Sequence, residues 1–279
     1  MKSVGFKKRV SRSLTLYRIL QKGLGPFLGF FSIRQVFSHL LGIISIRLPL
    51  GQPAISIRCW ADIVSYMEIF QTAIYDPVFL EAPIETYCDL GCQSGFALFR
   101  LGSIKRPPVK GLLIDGNPHA IQRCKKNILQ SNYKGIQIIH GVVGWHEDER
   151  NGFAPFVVRP NELESSLADK LSAKKGSALL QVPVVDLEKE WLRHIGPRPC
   201  DLLKVDVEGA EKIILQKDSA FFTRVKRCVL EWHGSSTNRL EIIALLERLG
   251  FGEFEVLWDS PQAGVLACRN LSSPNCGQS

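Results

Sequence analysis

No aspartate or glutamate precedes Asp62, although Lys2, Lys7, Lys8, Arg9, Arg12, Arg18, Lys22, Arg34, Arg47 and Arg58 all do. Beyond that point 25 bases face all 27 acids, so the formal net charge of +8 belongs to the amino-terminal arm. The body is nearly neutral, which argues against a nucleic-acid substrate. Long apolar runs are also lacking. Gly23 to Ile33 is stopped by Arg34, and the next run, from Val36, ends at Ile46. Neither approaches the roughly 20 residues that span a bilayer. No C-x-x-C pair occurs among Cys59, Cys88, Cys92, Cys124, Cys200, Cys228, Cys268 and Cys276, which argues against a zinc site or a redox dithiol. Cysteines scattered through apolar strands read as small hydrophobes in a reduced, cytoplasmic protein. Basic residues 1–46, interleaved with apolar ones, suit peripheral contact with an anionic membrane, a targeting peptide, or a helical arm packed on the body.

What is present centres on Ile84 to Gly95, Ile-Glu-Thr-Tyr-Cys-Asp-Leu-Gly-Cys-Gln-Ser-Gly. It reads as a buried strand ending at Asp89, a loop bracketed by Gly91 and Gly95, and a helix start at Phe96. Such a unit holds nucleotide-like ligands beyond the strand's carboxyl end, with loop N–H groups expected to face the ligand. A dinucleotide fingerprint is G-x-G-x-x-G, and Gln93 stands here in place of its middle glycine. That glycine lets backbone approach a pyrophosphate, so its absence points to a ligand without one. S-adenosylmethionine fits, and Asp89, Gly91, Cys92, Gln93 and Gly95 become its candidate contacts. Asp115 ends the next strand, 20 residues beyond Gly95, and is placed to accept from a ribose diol. Asn117-Pro118 caps the helix that follows. The third strand, Ile136 to Val143, brings Val142 and Val143 toward an adenine.

The chain otherwise divides into residues 1–80, a basic arm with a hairpin and a lead-in helix; 81–270, the ligand-binding domain; and a frayed tail, 271–279. The hairpin joins Ile43–Leu48 to Ala54–Arg58. The helix Ala61–Ile74 carries an apolar stripe expected to cover the sheet. Phe153–Val158 and Leu179–Val185 read as further strands, with Pro160–Gly176 as a loop or lid between them. Alternating strands and helices then give a mostly parallel, doubly wound α/β sheet closed by a terminal strand pair.

Two strand ends concentrate polar groups, Asp206, Glu208 and Glu211 on one and Glu231 and His233 on the other. Both project to the same sheet edge as the glycine loop. Asp89-Leu90-Gly91-Cys92-Gln93-Ser94-Gly95, Asp115-Gly116-Asn117-Pro118, Asp201 through Glu211 (Asp-Leu-Leu-Lys-Val-Asp-Val-Glu-Gly-Ala-Glu) and Leu230-Glu231-Trp232-His233 resemble the FkbM-type S-adenosylmethionine-dependent methyltransferases. The resemblance spans roughly residues 55 to 260, and Asp115-Gly116 departs from the family's usual Glu-Pro. It implies a Rossmann-like class I methyltransferase fold with an antiparallel C-terminal strand. It also implies methyl transfer to a hydroxyl, such as that of a sugar, glycolipid or secondary metabolite. His233 is then the expected general base, with an ordinary histidine pKa near 6.5. Asp206 would meet the donor or orient the acceptor. Glu208 and Glu231 would orient His233 or, with Asp206, hold a divalent cation. A nicotinamide-dependent oxidoreductase and a non-catalytic membrane-associated adapter are the competing functions.

Overall fold

The computed structural model describes residues 44–46, 55–131, 133–144, 152–159, 165–167, 177–217, 219–234 and 236–272. Most of the basic arm, the hairpin turn, most of the expected lid and most of the tail lie outside these residues. Strand β1 (Ile44–Ile46) pairs antiparallel with β2 (Ile55–Ile57), as the hairpin pattern predicts. Helix α1 (Trp60–Tyr66) runs into a π-helical turn, Met67–Gln71, and α2 (Asp76–Glu81) follows. The single helix expected to reach Ile74 therefore stops at Gln71, and Ala73 takes a left-handed φ of 53° to turn the chain.

The central sheet uses β3 (Thr86–Leu90), β4 (Lys110–Asp115), β5 (Ile136–His140), β9 (Leu202–Val205), β10 (Arg227–His233), β11 (Phe251–Asp259) and β12 (Ala263–Asn270). Its order is β11-β12-β10-β9-β3-β4-β5. Only β12 runs against its neighbours, so the sheet is mostly parallel with an antiparallel C-terminal strand. Helices α3 (Phe96–Ile104), α4 (Pro118–Leu129), α5 (Leu187–His194), α6 (Glu211–Lys217), α7 (Ser219–Phe222) and α8 (Arg239–Arg248) connect the strands.

Period-two alternation divides the strands between two cores. Cys88, Leu90, Leu112, Ile114, Leu203, Val205, Cys228 and Leu230 pack toward α5, α6, α7 and α8. Tyr87, Leu113, Leu202 and Val229 pack toward α2, α3, α4 and the π turn. The buried cysteines are free thiols, and burial raises the pKa of Cys88, Cys200 and Cys268.

A separate three-stranded sheet was not expected. Strands β6 (Phe153–Val158), β7 (Ser166–Leu167) and β8 (Ala178–Pro183) form it, antiparallel, in the order β7-β6-β8. Ala154, Phe156, Val158 and Val182 are its small core. Their alternation marks strands in the sequence, but pairing across a long polar connection leaves no local trace.

Asp62 locks the lead-in helix to the ligand-binding unit. Its wholly buried carboxylate accepts from Arg58 N, Ser94 Oγ and Arg123 Nε, joining α1 to the glycine turn and α4. Replacing Asp62 with alanine removes the acceptor that these three donors share. The expected loss in denaturant unfolding is about 1–3 kcal/mol, the range for taking away a buried hydrogen-bond partner. A loss below about 1 kcal/mol would show that this lock contributes little.

Candidate active site

The glycine turn is shaped by what presses on it. Gly91 has φ 76°, and a Cβ there would stand 1.6 Å from the Asp206 carbonyl oxygen. Glycine is thus demanded by the close approach of the β9 end. Gly95, at φ 83°, is the N-cap of α3, and Gln93 between them is left-handed at φ 48°. The N–H groups of the turn are all used within the protein. Gly91 and Cys92 donate to the Ile114 carbonyl, Gln93 to Asp115 Oδ2 at 2.8 Å, Ser94 to Gln93 Oε1, and Gly95 to the Cys92 carbonyl. The expectation that these groups face a ligand is therefore corrected. The β4 end draws the turn back onto itself, and no cradle of free donors for a phosphate remains.

Beyond the turn lies a cleft of about 860 Å³, open mouth included. Gly91, Gln93, Asp115, Asn117, Val142, Asp206 and Glu208 line it, as do Val143 and Phe156. Its charged lining, among the described residues, is acidic throughout: Glu68, Asp115, Asp206 and Glu208. Each Asp115 oxygen accepts one backbone N–H, from Gln93 and from Asn117 at 2.7 Å, which leaves each a further lone pair. Burial raises the Asp115 pKa, and those two N–H groups oppose the rise. Asn117 Oδ1 in turn caps α4, accepting from His119 N and Ala120 N. Gln93 Nε2 is buried without a partner among the described residues.

Asp89, Cys92 and Gly95 do not line the cleft. Asp89 is wholly buried beneath it, where its carboxylate accepts from Tyr87 Oη and from Lys204 Nζ at 3.1 Å. Lys204 also donates to the Gly91 carbonyl at 3.2 Å, lies 3.4 Å from Asp206, and faces the Tyr75 ring at 5.8 Å. Burial opposes its charge, but Asp89 and Asp206 outweigh that and raise its pKa.

His233 stands behind Glu208, ringed by carboxylates. Its Nδ1 lies 2.8 Å from Glu211, and its Nε2 3.3 Å from Glu208 and 3.9 Å from Glu231. Burial alone would lower the imidazole pKa, but the Glu211 bond and the charges of Glu208, Glu211 and Glu231 push it up to about 11. Burial, then Asp206 and Glu211, push Glu208 up to about 8 against the pull of His233. Glu231 is raised well above the usual range by burial and by Asp206. Glu208 also has a left-handed φ of 54°, the kind of strain found where a side chain must be aimed. Ligand-capable atoms of Asp206, Glu208 and His233 lie within 4.8 Å of one another.

A sequence model of the Methyltransferase FkbM domain matches residues 105–252, more than half of the chain. The chain belongs to the FkbM methyltransferase family. The matched segment holds Asp115, Asn117, Val142, Asp206, Glu208, Glu231 and His233, and begins after the glycine turn. Among solved structures, a human methyltransferase 10 domain containing protein is similar at 11% identity, over 88% of this chain and 97% of that one, with a TM-score of 0.44. Magnesium protoporphyrin IX methyltransferase from Synechocystis PCC 6803, with bound SAH, is similar at 9% identity over 74% and 84%, also with a TM-score of 0.44. No curated protein matches the chain.

In this FkbM-family site, both ring nitrogens of His233 face glutamates, which favour the protonated ring. The expected pKa near 6.5 is therefore corrected upward, because Glu211, Glu208 and Glu231 stabilise the charged ring. Ser65 and Glu68, from the lead-in helix, reach the cleft although that helix was expected only to cover the sheet. The signal for them was polar residues three apart on one face, beside an apolar stripe. The π turn that contains Glu68 is of a type frequent at functional sites. No described helix is long and apolar enough to cross a membrane.

The two glycines of the turn should respond differently to alanine. Gly95→Ala meets side chains alone, Cys124 Sγ nearest at 3.0 Å, on a left-handed backbone, so about 1–2 kcal/mol of stability should be lost. Gly91→Ala drives a methyl into a backbone carbonyl, and a loss beyond about 4 kcal/mol is expected in urea unfolding. Equal losses would contradict the close approach of the β9 end.

Proposed function

We propose that the chain transfers a methyl group from S-adenosylmethionine to a hydroxyl on a small molecule or glycan. One observation carries the donor assignment: the charged lining of the cleft is acidic, while the N–H groups of the glycine turn are already bonded. A pyrophosphate would meet carboxylates and no free turn donors. S-adenosylmethionine carries a sulfonium and an ammonium, which those carboxylates suit, and it carries no phosphate. The other residues fit the same donor. Asp115 keeps a lone pair on each oxygen for a ribose diol, Val142, Val143 and Phe156 offer apolar surface for an adenine, and Gln93 Nε2 is a donor in want of an acceptor. This disfavours the nicotinamide-dependent alternative. An adapter would have no need of acids gathered at the strand ends.

The donor, when bound, supplies an electrophilic methyl group on sulfur. The chain's share is chiefly placement, because an in-line displacement gains most from holding its reactants in register. Asp206 and Glu208 line the cleft at the end of β9, where they can hold the acceptor hydroxyl. The proton it releases passes to the acidic wall of Glu68, Asp206 and Glu208, and a positioned base of this kind is worth about 10²–10⁴-fold.

Calorimetric titration with S-adenosylmethionine and with NAD tests the donor. Binding of the first and not the second is expected, and Asp115→Ala should weaken it by about 1.5–3 kcal/mol. Unchanged affinity in that variant would remove Asp115 from the ribose, and tight NAD binding would overturn the donor. A panel of sugar, lipid and polyketide hydroxyls, assayed for methyl incorporation, then tests the acceptor class.

A further inference from the structure

Too many carboxylates face one ring nitrogen of His233. Its Nδ1 is committed to Glu211, and its Nε2 is approached by both Glu208 and Glu231. A single N–H serves one acceptor well. Glu231 is nearly enclosed, with 12% of its side chain exposed, and has no hydrogen-bond donor among the described residues. Glu211 is wholly buried, and its second oxygen has no partner among them either. Lys204 gives no relief on this side, since its ammonium is held by Asp89, the Gly91 carbonyl and Asp206. Asp206 and Glu208 line the cleft beside this crowded ring, and carboxylates brought this close together are costly unless a cation joins them.

We propose that Asp206, Glu208 and His233 form a binding site for a divalent cation of the Mg²⁺ or Mn²⁺ class. Their ligand atoms lie within 4.8 Å of one another, close to the span of groups sharing an ion at about 2.0–2.6 Å. Two carboxylates select a hard ion, and the imidazole admits manganese beside magnesium. Glu211 lies outside the ligand set and acts as a positioning residue. It accepts from Nδ1–H, so that an ion arriving at Nε2 displaces the proton there to solvent and meets the lone pair beside Glu208, the arrangement by which a carboxylate fixes a metal-binding histidine. Asp206 and Glu208 also line the cleft, so the ion would be within reach of a bound molecule. Its use there, polarising the acceptor oxygen, rests on the methyltransferase function proposed above. Glu68 remains outside the ligand set, free to receive the acceptor's proton.

The test uses the untagged full chain, treated with EDTA, desalted and titrated with Mn²⁺ while electron paramagnetic resonance follows the free ion. About one bound ion per chain is expected. Glu208→Gln and His233→Ala should each abolish saturable binding, and Glu211→Gln should weaken it about 10–100-fold. Circular dichroism melts establish that each variant is folded. Glu208→Gln, at a partly exposed side chain, keeps the test open if His233→Ala is not folded. Absence of saturable Mn²⁺ binding in the wild type would overturn the site, as would binding that survives both substitutions. S-adenosylmethionine binding, measured on the same metal-free sample, separates the two conclusions. Donor binding without manganese binding sinks the cation site and leaves the methyltransferase function standing.

Discussion

One buried ammonium holds the ligand edge of the sheet together. Lys204 and Asp89 are register partners on adjacent parallel strands, and both point into the core that otherwise takes Tyr87, Leu202 and Val229. A charge there is tolerated only because it is shared. The Lys204 side chain gathers the end of β3, the carbonyl of the glycine turn and the first acid after β9 into one contact. Without it, Asp89 would be an uncompensated carboxylate beneath the cleft. Asp206 would lose the partner that sets its place, and the turn would lose the bond at Gly91. The cleft's geometry thus hangs on an ion pair below its floor.

The same contact explains how much of the molecule was legible beforehand. Strand ends, the Gly91–Gly95 turn, the Asn117 cap and the gathering of Asp206, Glu208, Glu231 and His233 at one edge all follow from period, punctuation and the parallel-sheet rule. What each group does once gathered was less legible. The turn's N–H groups were free on paper and are bonded in the fold, three of them to the Ile114 carbonyl and Asp115 of the next strand and two within the turn. His233 carried an ordinary pKa on paper, and its environment is set by three glutamates from two different segments. Asp89 looked like a ligand contact and is instead a counter-ion. The second sheet was readable as strands but not as a sheet, since only alternation is local and pairing is not.

Charge is distributed with a consistent logic. The basic side chains near the site, Lys204 and His233, stand behind the surface, whereas the acids Glu68, Asp115, Asp206 and Glu208 form it. A ligand therefore meets negative potential first, with the compensating positive charge screened from it by one layer of side chains. Such layering favours a cationic donor over an anionic nucleotide without a single residue dedicated to exclusion.

The cleft is assembled from distant parts of the chain. Ser65 and Glu68 come from the lead-in helix, Asp115 from the β4 end, Phe156 from the inserted sheet, and Asp206 and Glu208 from the β9 end. None of these segments could build the surface alone, so it exists only when the fold brings them together. A molecule seated there binds the native state and not the unfolded one. Its stabilising effect then grows with the logarithm of its concentration, reaching about 2.7 kcal/mol at a hundredfold excess over its dissociation constant. Occupancy and cooperative folding become one equilibrium, and the folded fraction is tied to how much of that molecule surrounds the protein.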